Sequence, residues 1–406
     1  MTEQGTAPEG RRLSTKEAAE LLGVKPETVY AYVSRGQLSS RRGPGSRGST
    51  FDPGEVEALA RRNRREPAAS TTGDQLSVRT RITLIDGDRY YFRGVDAVRL
   101  ALDHSYEEVA EWLWTGVLRP GVAFTAPGET ATAARRAVDA LPEHSGPTDR
   151  LRVAAISAAA ADPLRFDLSA EAVIGTGRTL IPTLVAALPP VPSGRHDDGP
   201  LAHRLWTRLT GVKPDEVSLH ILDTALALLV DHDLAASTLA VRVAASARAH
   251  PYAAVSAGLG VLEGPLHGAA SGMAHRMLLD VLDRGSAAPV VADELRAGRR
   301  VPGLGHRLYT GEDPRAQALF TLLENKPKAA AALAAARDVV ATTARHTDLR
   351  ANVDLALAVF TASSGMPAEA GETIFAVART AGWIAHALEE YDERPLRMRP
   401  SGQYVG

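Results

Sequence analysis

Residues 303–316 read GLGHRLYTGEDPRA, and this segment separates two helical patterns in the last third of the chain. Glycines precede His306, and because glycine lacks a Cβ atom the backbone there can turn sharply and approach a ligand closely. The segment also carries Arg307 and Arg315, whose guanidinium groups suit carboxylates and phosphates. By itself it is compatible with an ordinary surface loop as well as with an anion-binding loop.

Two further polar residues lie at breaks between helical patterns on either side of this loop. His267 lies in GPLHGAAS, where glycine and proline make the backbone turn. Asp354 lies in ANVDLALAVF and is the only acid that enters a strongly apolar helix pattern. Taken alone, His267 fits an ordinary turn residue and Asp354 an ordinary helix-start residue. Alternatively, partial burial tunes the pKa of Asp354 so that its carboxylate acts as a base.

A third histidine, His232, follows the apolar run ILDTALALLV and precedes a predicted helix start in AAST. Alone it fits an ordinary residue at a helix end. Side chains at the boundaries of different helices can also converge on one cleft. His232 is therefore a candidate site residue together with His267, His306 and Asp354.

The composition places the chain in a broad class. With 406 residues it is long enough for two or three domains, since single cores stop growing at roughly 250–300 residues. Hydrophobic residues make up 45% and charged residues 23%, which is typical of globular proteins. We expect a cytoplasmic protein, because residues 1–12 lack the apolar core of a signal peptide and the sequence holds no spanning run.

The charge and the cysteine count exclude several kinds of site. The chain has no cysteine, which excludes disulfide scaffolds, thiol nucleophiles and thiolate metal sites. A formal net charge of −2 predicts no particular partner. Any affinity for nucleic acid must then come from a local basic patch.

Hydrophobic periodicity predicts a mainly helical chain. One hairpin is predicted over residues 81–93 around the turn Asp86-Gly87-Asp88, with few other strands after it. The prolines of residues 188–200 indicate a loop. A helical period is found in these segments: Tyr106–Thr115, Glu216–Val230, Ser237–Ala249, Tyr252–Glu263, Met273–Asp283, Pro314–Glu324, Lys328–Arg345, Val353–Ser363 and Ala368–Glu390.

The N-terminal segment has a pattern of its own. Ser14 and Glu17 have the spacing of a capping box, Gly23 ends the helix that follows, and Pro26 suits the first turn of a second helix. Residues 38–51 indicate a basic hairpin, and residues 52–60 a third helix. The segment therefore predicts two short helices joined by a tight turn, then a wing and a third helix.

The sequence LSTKEAAELLGVKPETVYAYVSRGQL, followed by FDPGEVEAL, resembles the helix-turn-helix domain of the MerR and excisionase class. The resemblance implies a small winged domain over residues 1–66, with a linker over residues 67–77. It implies DNA as a partner, although domains of this shape also serve as protein-interaction or dimer-stabilising elements. The candidate DNA-binding residues are Lys25, Thr28, Tyr30, Arg35, Arg41, Arg42 and Arg47.

From residue 79 to the C-terminus, the motifs together resemble citrate synthase in order and spacing. The matching segments are TLIDGDRYYFRGVDA, VDHDLAAST, GPLHGAAS, GLGHRLYTGEDPRA, ANVDLA, ARTAGWIAHALEE and RPSGQYVG. The resemblance implies a mainly α-helical fold of two domains. Residues 78–266 and 361–406 would form the large domain, and residues 267–360 the small one. Ala235, Ser271 and Thr310 depart from the commoner family sequence.

The resemblance also implies roles for individual residues. The catalytic residues would be His267, His306 and Asp354: Asp354 removes a proton from the acyl-CoA, His267 binds the thioester oxygen and His306 polarises the ketone. The residues that hold the oxo-acid would be His232, Arg315, Arg379 and Arg399. Arg399 is expected to reach into a neighbouring subunit's site, so a homodimer is implied. Weaker candidates for binding CoA are Arg299, Arg300 and Arg307.

The implied reaction condenses acetyl-CoA or propionyl-CoA with oxaloacetate and gives citrate or 2-methylcitrate and CoA. It needs no metal and no cofactor, because the acyl-CoA is a substrate. The sequence does not separate the two acyl groups, since one methylene changes discrimination by only about 1–3 kcal/mol. An alternative function is a DNA-binding regulator whose synthase-like domain senses metabolites without catalysis.

Overall fold

The computed structural model of the chain describes residues 12–34, 38–42, 49–57, 59, 78–191, 199–264 and 267–398. The chain separates into two compact units, Met1–Val78 and Arg79–Gly406. Each unit has its own cluster of buried apolar side chains. The finer division of the second unit into a large and a small domain stays a prediction.

The N-terminal unit combines short strands with short helices. In chain order the elements are β1 (Leu13–Ser14), α1 (Thr15–Leu22), α2 (Pro26–Ser34), β2 (Ser40–Arg42), β3 (Ser49–Phe51) and the described part of α3 (residues 53–57). The three strands form an antiparallel sheet in the order β1-β3-β2.

Local sequence signals account for α1. The Ser14 hydroxyl accepts a hydrogen bond from the Glu17 N–H at 3.3 Å, and the Glu17 carboxylate accepts one from the Ser14 N–H at 2.8 Å. The predicted capping box is therefore formed. Gly23 ends the helix in the left-handed region, with a φ of 67°. Phe51 and Val56 are buried against the helices, which confirms the predicted winged helix-turn-helix.

The second unit opens with the predicted hairpin. Strands β4 (Thr83–Asp86) and β5 (Arg89–Phe92) pair antiparallel, and β6 (Val95–Asp96) pairs with β5. Tyr90 and Phe92 are two residues apart on β5 and both are buried, so one face of the sheet packs against the core of this unit. The hairpin prediction is confirmed.

The rest of the second unit is helical. Its helices are α4 (Ala97–Asp103), α5 (Tyr106–Thr115), α6 (Gly128–Asp139), α7 (Pro147–Ala161), α8 (Ala170–Ala187), α9 (Leu201–Leu209), α10 (Glu216–Leu229), α11 (Ala236–Ser246), α12 (Pro251–Leu262), α13 (Ala270–Arg284), α14 (Ala287–Arg296), α15 (Pro314–Glu324), α16 (Ala330–Thr343), α17 (Val353–Ser363) and α18 (Ala370–Tyr391). A 3₁₀ turn, Pro327–Ala329, precedes α16.

The periodicity predicts α5, α15 and α17 with the observed limits, whereas α4, α6 to α9 and α14 lie in the part predicted to be helical overall but are not among the individually delimited segments. Some of these helices lack a clear amphipathic pattern. Helix α7 is rich in alanine, and α8 carries Pro182 in its interior. Alanine contributes little to a hydrophobic period although it favours helix, so pattern alone does not reveal such segments.

Helix α18 passes through the core of this unit. It packs against α8, α10, α11 and α12. A Cβ atom on Gly258 of α12 would come within 2.9 Å of the Trp383 ring of α18, so the absence of a side chain lets the two helices approach closely. The tight packing fixes Arg379, which lies on α18 with only 1% of its surface exposed.

Candidate active site

The loop of residues 303–306 and the start of α17 lie side by side. The Gly305 N–H donates to the Arg350 carbonyl at 2.7 Å, and the Asn352 side chain donates to the Gly305 carbonyl at 2.9 Å. The Asn352 N–H donates to the carbonyl of Gly303, at 3.0 Å. These hydrogen bonds join two segments about 45 residues apart. His306 follows one of these joined segments, and Asp354 follows the other.

Asp354 lies in the first turn of α17. Its backbone N–H donates to the side-chain oxygen of Asn352, the helix N-cap, at 3.0 Å. Burial raises the pKa of the Asp354 carboxyl to about 6, the charge of Asp313 acts in the same direction, and Arg315 opposes both. The carboxylate is therefore ionised at neutral pH and has a proton affinity suited to a general base.

The hydrogen bonds of His306 indicate its tautomer. Its Nδ1 accepts a hydrogen bond from the Leu308 N–H at 3.0 Å, so in the neutral ring the proton lies on Nε2. Burial, together with the charge of Arg315, lowers the pKa of His306 to about 4. At neutral pH the ring is thus an uncharged donor.

His232 packs against His306. Their ring centroids are 5.0 Å apart, and the Tyr309 ring lies 4.7 Å from His306. The Nε2 atom of His232 shares a hydrogen bond of 2.7 Å with the Tyr309 hydroxyl. Burial lowers the pKa of His232 well below its usual value, and the charges of Arg315 and Arg379 add to this effect. The ring is therefore neutral.

A buried ion pair holds Arg315. Its guanidinium donates to both oxygens of Asp313, from Nε at 2.9 Å and from the terminal nitrogen at 2.8 Å. Asp313 also caps α15 through the Arg315 N–H and accepts from the Val353 N–H at 3.0 Å. Burial raises the pKa of Asp313, but the Arg315 charge outweighs it and lowers that pKa. One carboxylate thus links Arg315 to the helix that carries Asp354.

Arg379 is the second buried guanidinium of the site. Its Nε donates to the Leu229 carbonyl at 2.9 Å, and its plane lies 4.5 Å from the centre of the Phe375 ring. Burial lowers the pKa of Arg379 to about 10, so it stays charged at neutral pH. Its terminal nitrogens have no hydrogen bond to the described residues, which leaves them for an anionic ligand.

His267 lies between α12 and α13. Its Nε2 shares a hydrogen bond of 2.8 Å with the hydroxyl of Ser237 in the first turn of α11, and its ring is 6.3 Å from Phe375. A Cβ atom on Gly268 would lie 2.2 Å from the Leu262 carbonyl oxygen, so only glycine fits there. Burial lowers the pKa of His267, and Arg379 adds to this effect.

The residue that precedes His232 in sequence, Asp231, belongs to a buried polar network. Asp231 accepts a hydrogen bond from Nε2 of His386 at 3.2 Å, and Nδ1 of His386 contacts the Arg242 guanidinium at 2.9 Å. Arg242 in turn donates to Glu389 at 2.8 Å. Burial raises the pKa of Asp231, but His386 and Arg379 outweigh it and lower that pKa. Asp231 therefore stays ionised, and its negative charge stabilises the charged form of Arg379.

Comparison with known proteins identifies the family. The sequence model described as "Citrate synthase, C-terminal domain" matches residues 73–401. The citrate synthase of Haloferax volcanii is 33% identical over 357 residues, which cover 82% of this chain and 94% of that protein. The chain belongs to the citrate synthase family.

Three further comparisons extend this result. The protein named 2-methylcitrate synthase 1 of Corynebacterium glutamicum is 28% identical over 340 residues, covering 78% of this chain and 88% of that protein. The crystal structure of citrate synthase from Thermotoga maritima superposes with a TM-score of 0.65 at 26% identity, covering 83% of this chain and 95% of that one. Residues 12–64 match the model of a helix-turn-helix domain.

The structure brings most of the predicted citrate synthase site residues together. The charge of Arg315 acts on the pKa values of His232, His306 and Asp354, and that of Arg379 acts on the pKa values of His232 and His267. Arg399 lies outside the described residues. Asp313, Tyr309 and Ser237 contact these side chains, although sequence reasoning assigned them no role. For Asp313 a signal existed, since an aspartate before Pro314 has the pattern of a helix N-cap.

The predicted CoA-binding arginines lie on the surface. Arg307 is exposed beside His306, and Arg300 is exposed as well. Arg299 is exposed and forms a two-pronged ion pair with Glu294, at 2.7 and 3.1 Å. The three remain predictions, and Arg299 is the one already engaged within the chain.

In the N-terminal unit, Lys25 and Arg41 are exposed, and Thr28 is half-buried in α2. Tyr30 is 49% exposed, and its hydroxyl lies 3.3 Å from that of Thr15. The predicted DNA-binding residues Arg35 and Arg47, and the side chain of Arg42, lie outside the described residues.

Neither a metal-binding cluster nor a membrane-spanning helix occurs among the described residues. No cluster of three or more histidine, aspartate and glutamate side chains there is arranged to hold a metal ion. In the same part of the chain, no helix has both the length and the apolar character needed to cross a membrane.

Proposed function

We propose that the chain condenses an acyl-CoA with oxaloacetate and hydrolyses the CoA thioester of the product. The observation that carries this proposal is one hydrogen-bonded pair of segments that holds a carboxylate of raised pKa, Asp354, beside a neutral imidazole donor, His306. The buried cation Arg315 acts on the pKa of both members of this pair, and Arg379 acts on those of His232 and His267. These two guanidinium groups suit the two carboxylates of oxaloacetate.

In the first step, Asp354 removes a proton from the acyl carbon next to the thioester. The negative charge moves to the thioester oxygen, where His267 donates a hydrogen bond. If the Ser237 hydroxyl donates to Nε2 of His267, the ring proton lies on Nδ1 and is available to the substrate. A positioned base and a donor aimed at the developing charge each contribute roughly 10²–10⁴ in rate.

In the second step, the enol carbon attacks the ketone of oxaloacetate and forms the new carbon–carbon bond. Nε2 of His306 donates a hydrogen bond to the ketone oxygen and gives its proton to the alkoxide, and the proton that Asp354 removed in the first step then restores the neutral ring. Arg315, Arg379 and His232 hold the oxo-acid, and we extend this role to Arg399. Water then cleaves the thioester and releases CoA. The chemistry needs neither metal nor cofactor, because the acyl-CoA is consumed.

Acetyl-CoA and propionyl-CoA are both candidates, since relatives carry the names of both synthases. The deciding experiment follows release of CoA from each thioester with oxaloacetate present and absent. CoA release that depends on oxaloacetate supports the proposal. The ratio of kcat/KM for acetyl-CoA to kcat/KM for propionyl-CoA identifies the preferred substrate. No oxaloacetate-dependent release from either thioester would favour the metabolite-sensing alternative.

We also propose a homodimer. Several apolar side chains are exposed in the single chain, with Ile156 on α7 at 59%, Val243 on α11 at 46% and Phe166 at 66%. Exposed apolar side chains of this size are typical of surfaces that a partner covers. The role proposed for Arg399 requires the same assembly.

The N-terminal unit is proposed to bind DNA. The winged helix-turn-helix form and the exposed Lys25 and Arg41 support this, and a dimer would present two such units to paired half-sites. A DNA-binding unit also suits the proposed cytoplasmic location. We expect duplex binding that weakens steeply with salt, falls when Arg41, Arg42 and Arg47 become alanine together, and is lost on deleting residues 1–70.

A titration against genomic DNA fragments at about 50 mM salt tests the DNA proposal. Many non-specific binders reach a Kd of about 10⁻⁵ M under such conditions. If the intact protein binds no tighter than that, the unit is better treated as a protein-interaction element.

A further inference from the structure

A lysine is buried at the end of α15 without a carboxylate partner. Lys326 is 4% exposed, and its ammonium donates to the hydroxyls of Ser218 at 2.9 Å and Ser364 at 2.7 Å. Within the described part of the chain, no carboxylate lies within 4.0 Å of it. The rings of Trp206 and Phe360 face the ammonium at 5.6 and 5.2 Å. Hydroxyls and aromatic faces thus replace the usual counter-ion.

Burial of the Lys326 ammonium has a cost in free energy of folding. A buried cation without a counter-ion loses hydration that hydroxyls and rings restore only in part. Burial accordingly lowers the pKa of Lys326 to about 8, against the opposing charge of Asp215 and together with that of Lys328. Methionine has a similar volume and would remove this cost. The presence of a lysine here therefore points to a role in placing the helices that it contacts.

The contacts of Lys326 explain what it joins. Ser218 lies in the first turn of α10, which leads at its far end to His232. Lys326 itself follows α15, whose first turn carries Arg315. Ser364 is the C-cap of α17, whose first turn carries Asp354. Three helices therefore meet at one ammonium, and the opposite end of each presents a residue of the candidate site.

These helices have 14, 11 and 11 residues, which corresponds to roughly 16–21 Å of rigid rod each. We infer that Lys326 is a positioning residue: by tying the far ends of α10, α15 and α17 together, it sets the placement of the proposed base against the oxo-acid site. The inference rests on the proposed function for its effect on turnover, but its effect on the helices can be measured without activity.

The test compares Lys326→Met with Lys213→Met, an exposed lysine just before α10, in the full-length protein. The first readout is amide hydrogen exchange in peptides that cover residues 303–316 and 351–356. We expect exchange there to quicken at least about fivefold in Lys326→Met and to stay unchanged in Lys213→Met. Unchanged exchange in both variants would overturn the inference.

The second readout is the pH dependence of oxaloacetate-dependent CoA release. In the wild type, kcat/KM should decline above pH 8 as Lys326 loses its proton. In Lys326→Met, kcat/KM should be at least about tenfold lower at pH 7.5 and should lack this decline. A Lys326→Met enzyme with wild-type kcat/KM and the same alkaline decline would also overturn the inference.

A second variant shows whether an effect of Lys326→Met comes from the lost hydrogen bonds or from misfolding. The double variant Ser218→Ala with Ser364→Ala keeps the lysine and removes its two hydrogen-bond acceptors. Amide exchange should quicken in the same two peptides. If the wild type itself releases no CoA, the proposed reaction fails, while the exchange data still decide the positioning role.

Discussion

Asp354 and His306 lie in the same buried site, yet burial moves their pKa values in opposite directions. It raises the pKa of Asp354 to about 6 and lowers that of His306 to about 4. The reason is common to both, because burial disfavours whichever form carries the charge. Between about pH 7 and 8 the site therefore holds one ionised carboxylate and one neutral imidazole, which are the forms needed for a base and a hydrogen-bond donor.

Asp354→Asn should lower kcat by at least about 10², because the amide cannot accept the proton from the acyl carbon. The same change removes a buried charge, so the variant should unfold at the same or a higher temperature at pH 7.5. Steady-state CoA release and thermal unfolding, measured on one preparation, check both parts. Turnover close to that of the wild type would exclude Asp354 as the base.

The acid side of the pH profile should report Asp354. Its carboxyl must be deprotonated to act, so kcat/KM should rise with pH through about 6 and level off above it. Asp313→Asn removes a negative charge that raises this pKa and leaves Arg315 less neutralised. We therefore expect the variant's acid inflection to move below 6. An inflection unmoved in this variant would contradict the assignment.

At the scale of elements, helix ends position the site. Asp354 and Arg315 lie in the first turns of α17 and α15, and His232 follows the end of α10. Backbone groups at helix ends lack intrahelical partners, so caps such as Asn352 and Asp313 both satisfy them and orient the neighbouring side chains. A loop that must lie flat against such a helix start requires glycine.

Gly303→Ala should be more harmful than Gly298→Ala. Both glycines are left-handed, with φ of 79° and 70°, so alanine strains each by roughly 1 kcal/mol. Only at Gly303 would the new Cβ atom also meet Leu355, at 2.8 Å, whereas at Gly298 nothing lies within 4 Å. We expect the Gly303 variant alone to lose turnover by tenfold or more. CoA release and denaturant unfolding of the two variants test this, and equal losses would rule out the close contact as the cause.

At the scale of the whole molecule, two units with separate cores share one chain. A unit with its own core can fold independently. Deleting residues 1–70 should therefore leave the synthase-like unit folded, which makes the DNA-binding test and the activity test separable. The proposed dimer has a consequence for activity, because Arg399 is proposed to act in the partner subunit's site.

Subunit mixing tests this shared site. Arg399→Ala and His306→Ala should each be inactive, but after subunit exchange the heterodimer should hold one site with both residues intact. CoA release should then recover to about a quarter of the wild-type rate, since about half the dimers are mixed. Each variant exchanged with itself serves as the control. No recovery after verified exchange would assign Arg399 to its own subunit's site or to none.

Local physical signals made part of this protein predictable from sequence. The capping box at Ser14, the apolar periods of α5, α15 and α17, and the hairpin turn at Gly87 each depend on residues within a few positions of one another. The ordered histidine and aspartate motifs likewise indicate the citrate synthase family, since such motifs are carried by short segments.

Other features were decided only by the tertiary structure, because they depend on segments far apart in sequence. Asp313 joins Arg315 to Val353, 40 positions from Asp313, and Lys326 joins Ser218 to Ser364. The direction of each pKa shift depends on desolvation, which exists only once the helices have packed. The sequence by itself therefore determines which residues are able to act, and packing alone decides which of them meet, and in which charge state.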